Sequence, residues 1–369
     1  MPIAVESSRP ERLVSLDMLR GLAVIGMITV NEMAGMAPPV FPMLLHSHWD
    51  GLTIADIVFP SFLFMVGVSI PLSFRAREQV DYSGILWRAA RLILLGFILS
   101  NIFWFSQFSS GSWRLFGVLQ RIGLVYGACG ILFLRMSPPS RLIAAAAILL
   151  LYWPLTYIPT LDGVSTDLWQ RGMNFVGSVD RVLLGAGNHI YVPGPHGYDP
   201  EGLLGTLPAI AQGLLGVAAG DYLLRTTRSE RFRTLAIAGA AMLAVGVAWD
   251  FVFPVVKDIW SSTFVLVTTG LDLLLLSALG VLFDGRPMTG ARRAVELIVL
   301  PFGMNAIAAY TLHEVCWSLL GWDLLQKPYQ QLKPIVGPET AAFVPVLMFL
   351  AFIWLAMFYL WRKRWLVRI

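Results

Sequence analysis

The 369-residue chain is 57% hydrophobic and only 14% charged, against about 25% charged in a typical soluble domain, and its mean hydropathy of +0.69 excludes an ordinary soluble fold. The formal charge is +4 and the pI is near 9.2, yet the basic residues sit in short clusters between apolar runs, which is membrane topology and not a nucleic-acid partner. Cys129 and Cys316 both lie inside apolar runs, so neither a disulfide framework nor a metal cluster is expected.

The first twelve residues carry Glu6 and Glu11 and lack the charged, apolar and cleavable order of a secretory signal, so no removable leader is expected. Ten spans follow, at 13–36, 53–74, 89–110, 113–134, 141–159, 202–224, 234–254, 261–283, 294–319 and 341–361, each near the ~20 residues that a bilayer requires. The third and fourth almost touch, with Gly111-Ser112 as the turn between them. Residues 160–201 include GNHIYVPGPHGYDPEG; they are too polar to cross and read as one long external connection with no evident element of its own. No internal repeat, low-complexity tract or soluble domain interrupts the pattern. The expected fold is all-α, a polytopic membrane bundle of about ten transmembrane helices in one domain over 1–369, external loop included.

Orientation follows from the connections. With the N-terminus inside, 19 of the 27 Lys and Arg residues fall on the cytoplasmic side, among them Arg9, Arg12, Arg75, Arg77, Arg88, Arg91, Arg286 and Arg368. Seven fall outside (Arg114, Arg121, Arg171, Arg181, Lys257, Lys327 and Lys333), and Arg20 lies within the first span. Both termini are therefore expected in the cytoplasm.

Polar residues in the spans mark candidate chemistry. In the first span Asp17, Arg20, Val24, Met27 and Asn31 fall within an arc of about 80° at ~100° per residue. Asp17 and Asn31 are about 21 Å apart along the helix at ~1.5 Å per residue. One polar stripe thus runs from the inner end most of the way out, and ionisable groups inside a span face the bundle interior or a wet cavity. The plain structural alternative is an Asp17–Arg20 pair that anchors the inner end. Asp56 opens the second span, Gln120 and Arg121 sit in the fourth, and Asp250, Lys257, Asp272, Asn305, His313 and Glu314 add polar positions in or beside spans seven to nine. Interhelical hydrogen bonds worth ~0.6–2 kcal/mol each would explain many of these, and that reading is kept for Asp272. All five histidines, His46, His48, His189, His196 and His313, fall on the external half. Histidine is the natural proton acceptor at neutral pH, and His46 and His48 stand just before a span begins, whereas His189 and His196 read as solvated loop residues.

Six blocks carry a resemblance. They are SLDMLRGLAVIGMITVN (15–31), HSHWDGLTIADIVFPSFLFMVGVSI (46–70), GVLQRIGLVYG (117–127), DPEGLLGTLPAIAQGLLGVAAG (199–220), FPVVKDIWSSTFVLVTTG (253–270) and PFGMNAIAAYTLHE (301–314). In order and content they resemble the transmembrane acetyltransferase family of lysosomal heparan-α-glucosaminide N-acetyltransferase and its bacterial inner-membrane relatives that act on glucosamine. At this length the resemblance is to the compact bacterial form. It implies that acetyl-CoA enters from the cytosol and an amino sugar is acetylated on the periplasmic side, with no metal involved. The family's active histidine, which precedes Trp-x-Gly-x-Thr-x-Ala-Asp, selects His46; His48 is a departure from the family pattern. The family's Val-Asn maps onto Val30-Asn31.

The resemblance and the polar stripe together assign roles. His46 and Asn31 are the expected catalytic pair, His46 accepting the amine's proton and Asn31 donating to the thioester oxyanion. Arg20, Gln120, Arg121 and Asn305, between spans one, four and nine, are expected to bind acetyl-CoA. Asp56, Trp49 and Glu314 are candidates for the sugar. Direct transfer is preferred to an acetyl-histidine route because no second activating base is evident beside His46. The implied partners are acetyl-CoA, the amino sugar and the bilayer, with a homo-oligomer added by the family's tendency. Two other classes compete. A membrane O-acyltransferase of another family would place histidine in the Arg-containing first span, where none stands. An amino-sugar transporter would explain buried charge but calls for inverted repeats or paired broken helices.

Overall fold

The computed structural model describes residues 13–36, 41–75, 80–185, 189–285, 287, 289–320, 323–367 and 369. Of the basic residues that set the orientation, Arg9, Arg12, Arg77, Arg286 and Arg368 lie outside the described residues. The described residues are all-helical apart from two isolated β-bridges. The helices are α1 (Val14–Ala34), α2 (Ile54–Arg75), α3 (Tyr82–Ser100), α4 (Trp104–Ser110), α5 (Val118–Arg135), α6 (Pro138–Thr156) and α7 (Phe175–Leu184). They continue as α8 (Thr206–Arg225), α9 (Arg228–Asp250), α10 (Ser262–Phe283), α11 (Gly290–Met304), α12 (Ala306–Leu320), α13 (Asp323–Val336) and α14 (Pro338–Arg362). Nine are long and apolar enough to cross a membrane, and the bent pair α11–α12 supplies a tenth crossing if taken as one span.

Most expected spans lie within a few residues of these helices, and the departures have local causes. The third does not run over 89–110. Asp81 caps α3 early by accepting from the Gly84 N–H at 3.0 Å. Asn101 then closes it, its amide bonding Phe97 O (2.8 Å) and Arg114 O (2.9 Å), so the aromatic stretch after it forms the separate short α4. The ninth is not one straight helix over 294–319, because α11 and α12 meet at 76°. Asn305 leaves helical conformation there (φ −123°, ψ 38°), and its Oδ1 accepts from the Val367 N–H at 3.0 Å. Gly303 makes the crossing possible: a methyl on it would lie 1.9 Å from Asp17 O on α1. The external connection 160–201 holds an element after all, α7, capped by Asn174 through the Gly177 N–H at 2.8 Å. Between the last two spans, α13 is a further helix absent from the expectation.

Small residues bring the central helices together. A methyl on Gly67 of α2 would lie 2.0 Å from Gly213 O of α8, the close backbone approach that membrane helix pairs use in place of a hydrophobic drive. The apolar core around this pair includes Leu63, Val125, Leu214, Val217 and Phe264. A second core joins α1, α12 and α14 through Ile28, Ala309, Val346 and Ile353. Trp49, Leu168, Val176, Tyr198 and Phe253, all outside the spans, pack with Tyr152 of α6 into a cluster that ties the external loops to the bundle.

Candidate active site

A cavity of about 1110 Å³ passes between α1, α2, α3, α5 and α12. In the orientation set by the basic residues, its inner end is lined by Asp17, Arg20, Ser73, Arg88 and Arg91, with Leu366, Val367 and Ile369 of the C-terminal segment. Arg20 Nη1 donates to Asp17 Oδ1 at 3.0 Å and Nη2 to Ser69 Oγ at 3.2 Å. The Arg88 guanidinium lies 4.8 Å from the Tyr126 ring centroid. The middle is apolar, with Met27, Val30, Phe62, Met65, Ile122 and Ile307 on its walls and Asn31 among them.

The outer end is polar and made mostly by loops. His46, Ser47, Arg114, Arg171, Tyr191, Glu201, Lys257, Asp258 and Glu314 line it. Asp56 lies directly behind His46, its Oδ1 2.8 Å from Nδ1, with the carboxylate buried and the imidazole half exposed. The other oxygen of Asp56 accepts from the backbone N–H groups of Ser47 and Thr53, both at 3.0 Å, and Lys257 Nζ lies 3.7 Å from Oδ1. Such surroundings require an ionised acceptor, so the His46 proton sits on Nδ1 and the Nε2 lone pair is left free.

A second network fixes the rest of the outer end. Arg114 pairs with Asp199 at 2.8 Å and with Glu201, and stacks 4.4 Å from the Tyr191 ring centroid. Burial alone would lower the Arg114 pKa, but the carboxylates of Glu201 and Asp199 raise it. Arg171 donates to Tyr198 OH at 2.5 Å, and that hydroxyl donates to Asp258 at 2.5 Å. Beneath them, burial pushes Asp180 of α7 up to about 7, although its oxygens accept from the N–H groups of Leu203 (3.1 Å) and Asp199 (3.2 Å).

The structure brings together five of the nine residues singled out in the sequence: His46, Asn31, Arg20 and Glu314 line the cavity, and Asp56 supports it from behind. Asp56 is placed as the partner of His46 and not as a sugar ligand, because its oxygens are already engaged. It also supplies the neighbour whose absence had argued for direct transfer. Trp49 is not on the cavity wall; it is buried, with Nε1 donating to Leu168 O at 2.8 Å and its ring edge-on to Tyr198. Gln120 and Arg121 are on the wrong faces of α5, whose cavity face is Val118, Leu119, Ile122 and Tyr126. Gln120 turns to Ser100 and Leu115 O, and Arg121 donates to Gly202 O at 3.1 Å while stacking on Trp260. Asn305 is the bend residue, and its neighbours Gly303, Met304 and Ala306 line the cavity in its place. Sequence reasoning did not single out Arg114, Arg171, Tyr191, Glu201 or Asp258 as site residues, since their positions depend on how external loops fold back. Arg88 and Arg91 could have been found: an i,i+3 pair at the inner end of an apolar helix puts two cations on one face.

The catalytic family model of heparan-alpha-glucosaminide N-acetyltransferase matches residues 12–248, a stretch that contains His46, Asp56, Asn31 and the Arg114 network. The Homo sapiens heparan-alpha-glucosaminide N-acetyltransferase is 30% identical over 370 residues, covering 84% of this chain and 54% of its own length. The Mus musculus protein of the same name is 30% identical over 369 residues with the same coverage. The chain thus spans about half the length of the curated relatives it matches.

Proposed function

The chain belongs to the heparan-alpha-glucosaminide N-acetyltransferase catalytic family, and on that premise we propose that it moves the acetyl group of cytosolic acetyl-CoA to the amino group of a glucosamine-type sugar across a membrane. The acceptor side is periplasmic and the membrane a bacterial cytoplasmic one in this reading, with residues 1–369 acting as one unit. The observation that carries it is a cavity with arginines at one end and the His46–Asp56 pair at the other. CoA is too large and too anionic to cross, whereas its pantetheine arm is thin enough to thread an apolar passage. Arg20, Arg88 and Arg91 meet the phosphates, with Arg favoured by its fork of donors.

At the outer end the amine nitrogen attacks the thioester carbon. The N–C bond forms, Asn31 donates to the oxyanion, and the C–S bond breaks. His46 Nε2 takes the proton from the attacking nitrogen and delivers it to the departing thiolate, while Asp56 holds the ring in the required tautomer. An oxyanion donor of this kind typically contributes ~10²–10³ in rate. Glu314 stands where the acceptor's ammonium arrives.

The Asp56 contact favours a second route equally well, in which His46 Nε2 attacks first and carries the acetyl group. Purified protein should release CoA from acetyl-CoA when glucosamine is added; no acceptor-dependent release would remove the reading and favour a transporter. Labelled acetyl-CoA without acceptor separates the two routes, since only the second leaves a His46-dependent labelled adduct.

A further inference from the structure

The acetyl transfer just described uses the arginines at the inner end of the cavity and leaves unexplained the chain that stands among them. α14 ends at Arg362, and the chain then reverses. Arg364 takes a left-handed conformation (φ 58°) and its N–H donates to Trp361 O at 3.0 Å, while the Trp365 N–H donates to Leu360 O at 2.9 Å. These are the paired bonds of a Schellman cap, in which glycine is the usual left-handed residue; a residue with a Cβ holds that conformation at a cost. The reversal returns the chain to the inner end, where Leu366, Val367 and Ile369 line the cavity beside Arg20, Arg88 and Arg91.

The hold of this segment on the bundle is light. The Val367 N–H donates to Asn305 Oδ1 at 3.0 Å, and Ile369 packs against the apolar core around α2 and α8. Asn305 is fully buried at the α11–α12 bend, and its Nδ2 has no partner among the described residues. Trp365, Leu366 and Val367 keep 59%, 37% and 45% of their surface exposed. A stretch with few buried contacts and a backbone strained at its root is the kind that opens locally while the rest of the fold stays intact.

A passage that admits a pantetheine arm also admits water, so a bilayer crossed by one leaks protons unless an end is shut. Resting on the acetyl-transfer reading, we propose that the segment beginning at Arg364 is a gate on the donor entrance, with Leu366, Val367 and Ile369 as its occluding side chains, and that CoA displaces it on entering. Apolar side chains suit the task, because a hydrophobic constriction shuts a pore by dewetting. They also offer the arginines nothing to bond. When a phosphate arrives, each arginine that meets it exchanges an aliphatic neighbour for a charge-assisted hydrogen bond, and the ligand itself drives the opening. Two features set the balance from opposite sides: the Val367–Asn305 bond latches the gate, and the positive φ at Arg364 works against it. CoA binds the open form and not the shut one, so its apparent affinity scales with the fraction open.

That balance is tested by shifting it both ways. Val367→Pro deletes the latching N–H without changing charge, and the net worth of one hydrogen bond is about fivefold in an equilibrium. By isothermal titration the variant should bind CoA about fivefold more tightly than wild type. In liposomes loaded with a pH-sensitive dye it should dissipate a proton gradient about fivefold faster. Arg364→Gly and Arg364→Ala remove the same charge but differ in their tolerance of positive φ, so the glycine variant shuts the gate more firmly. It should bind CoA about fivefold more weakly than the alanine variant and leak less. Affinity and leak must move together, and either standing still overturns the gate. Weaker CoA binding in Val367→Pro also overturns it, by making the segment a wall of the donor site. Should Val367→Pro fail to accumulate, the Arg364 pair decides by the same two readouts. If wild type binds no CoA, the failure belongs to the proposed function, and the leak rates alone judge the seal.

Discussion

The two ends of the cavity are built in opposite ways. At the inner end, Arg20, Arg88 and Arg91 stand on continuous helices and are part-exposed or exposed; Arg20 donates to a carboxylate, a hydroxyl and the Gly303 carbonyl. At the outer end the charged groups are tied into networks of loop residues far apart in sequence, such as Arg114 with the buried Asp199 and Glu201, or Tyr198 with Arg171 and Asp258. The difference fits the work proposed for each end. A phosphate-bearing ligand needs positive charge of adjustable geometry, which long arginines on helix faces supply. A reacting amine and thioester need donors and acceptors held to a fraction of an ångström, and a packed polar network supplies that rigidity.

This contrast can be broken by substitution. The largest effect is expected at His46: His46→Ala should lower acetylation by at least ~10² while isothermal titration finds CoA affinity nearly unchanged, and His48→Ala should cost less. Near-normal turnover in His46→Ala would detach the chemistry from the outer end. Asp56→Asn comes next, at about 10–100-fold in kcat, the range for partners that fix a histidine's tautomer. An amide NH₂ facing Nδ1 would place the ring proton on Nε2, so the loss should appear in kcat with CoA binding intact. At the inner end, Arg20→Ala should raise the CoA dissociation constant about 10-fold, the loss of one charge-assisted contact, and leave kcat at saturation almost unaltered. A fall in kcat without weaker binding would reverse the assignment of the two ends. The smallest effect concerns Asp180. Its pKa, raised to about 7 in the folded chain by burial, lies above the ordinary ~3.9. The folded state therefore binds the proton more tightly, and the stabilisation, complete below pH ~4, is lost as pH rises through 7. The thermal midpoint in detergent should decline between pH 5 and pH 8, and decline less in Asp180→Asn; an identical slope in the variant would place the pH-sensitive group elsewhere.

Much of the molecule was legible without coordinates because the bilayer is a strict solvent. Apolar runs of fixed length must be helices, so most of the spans, their order and the polar face of α1 with Arg20 and Asn31 followed from residue pattern alone, and the Lys and Arg asymmetry supplies their expected orientation. The resemblance picked out His46. Pattern could not decide which way a side chain turns when two faces of a helix are both buried. Gln120 and Arg121 differ from Val118 and Ile122 only by rotation about α5, and packing against Ser100 and Trp260 took them off the cavity. Nor does periodicity register a break whose cause is remote: α11 and α12 bend where Gly303 meets α1 and Asn305 meets Val367. The pairing of His46 with Asp56, ten residues on, and of Glu32 with His313, 281 residues on, exists only once the helices have assembled. Span and orientation are set by each segment's own exchange with lipid and water, whereas a site is set by contacts between segments, and those energies belong to no segment by itself.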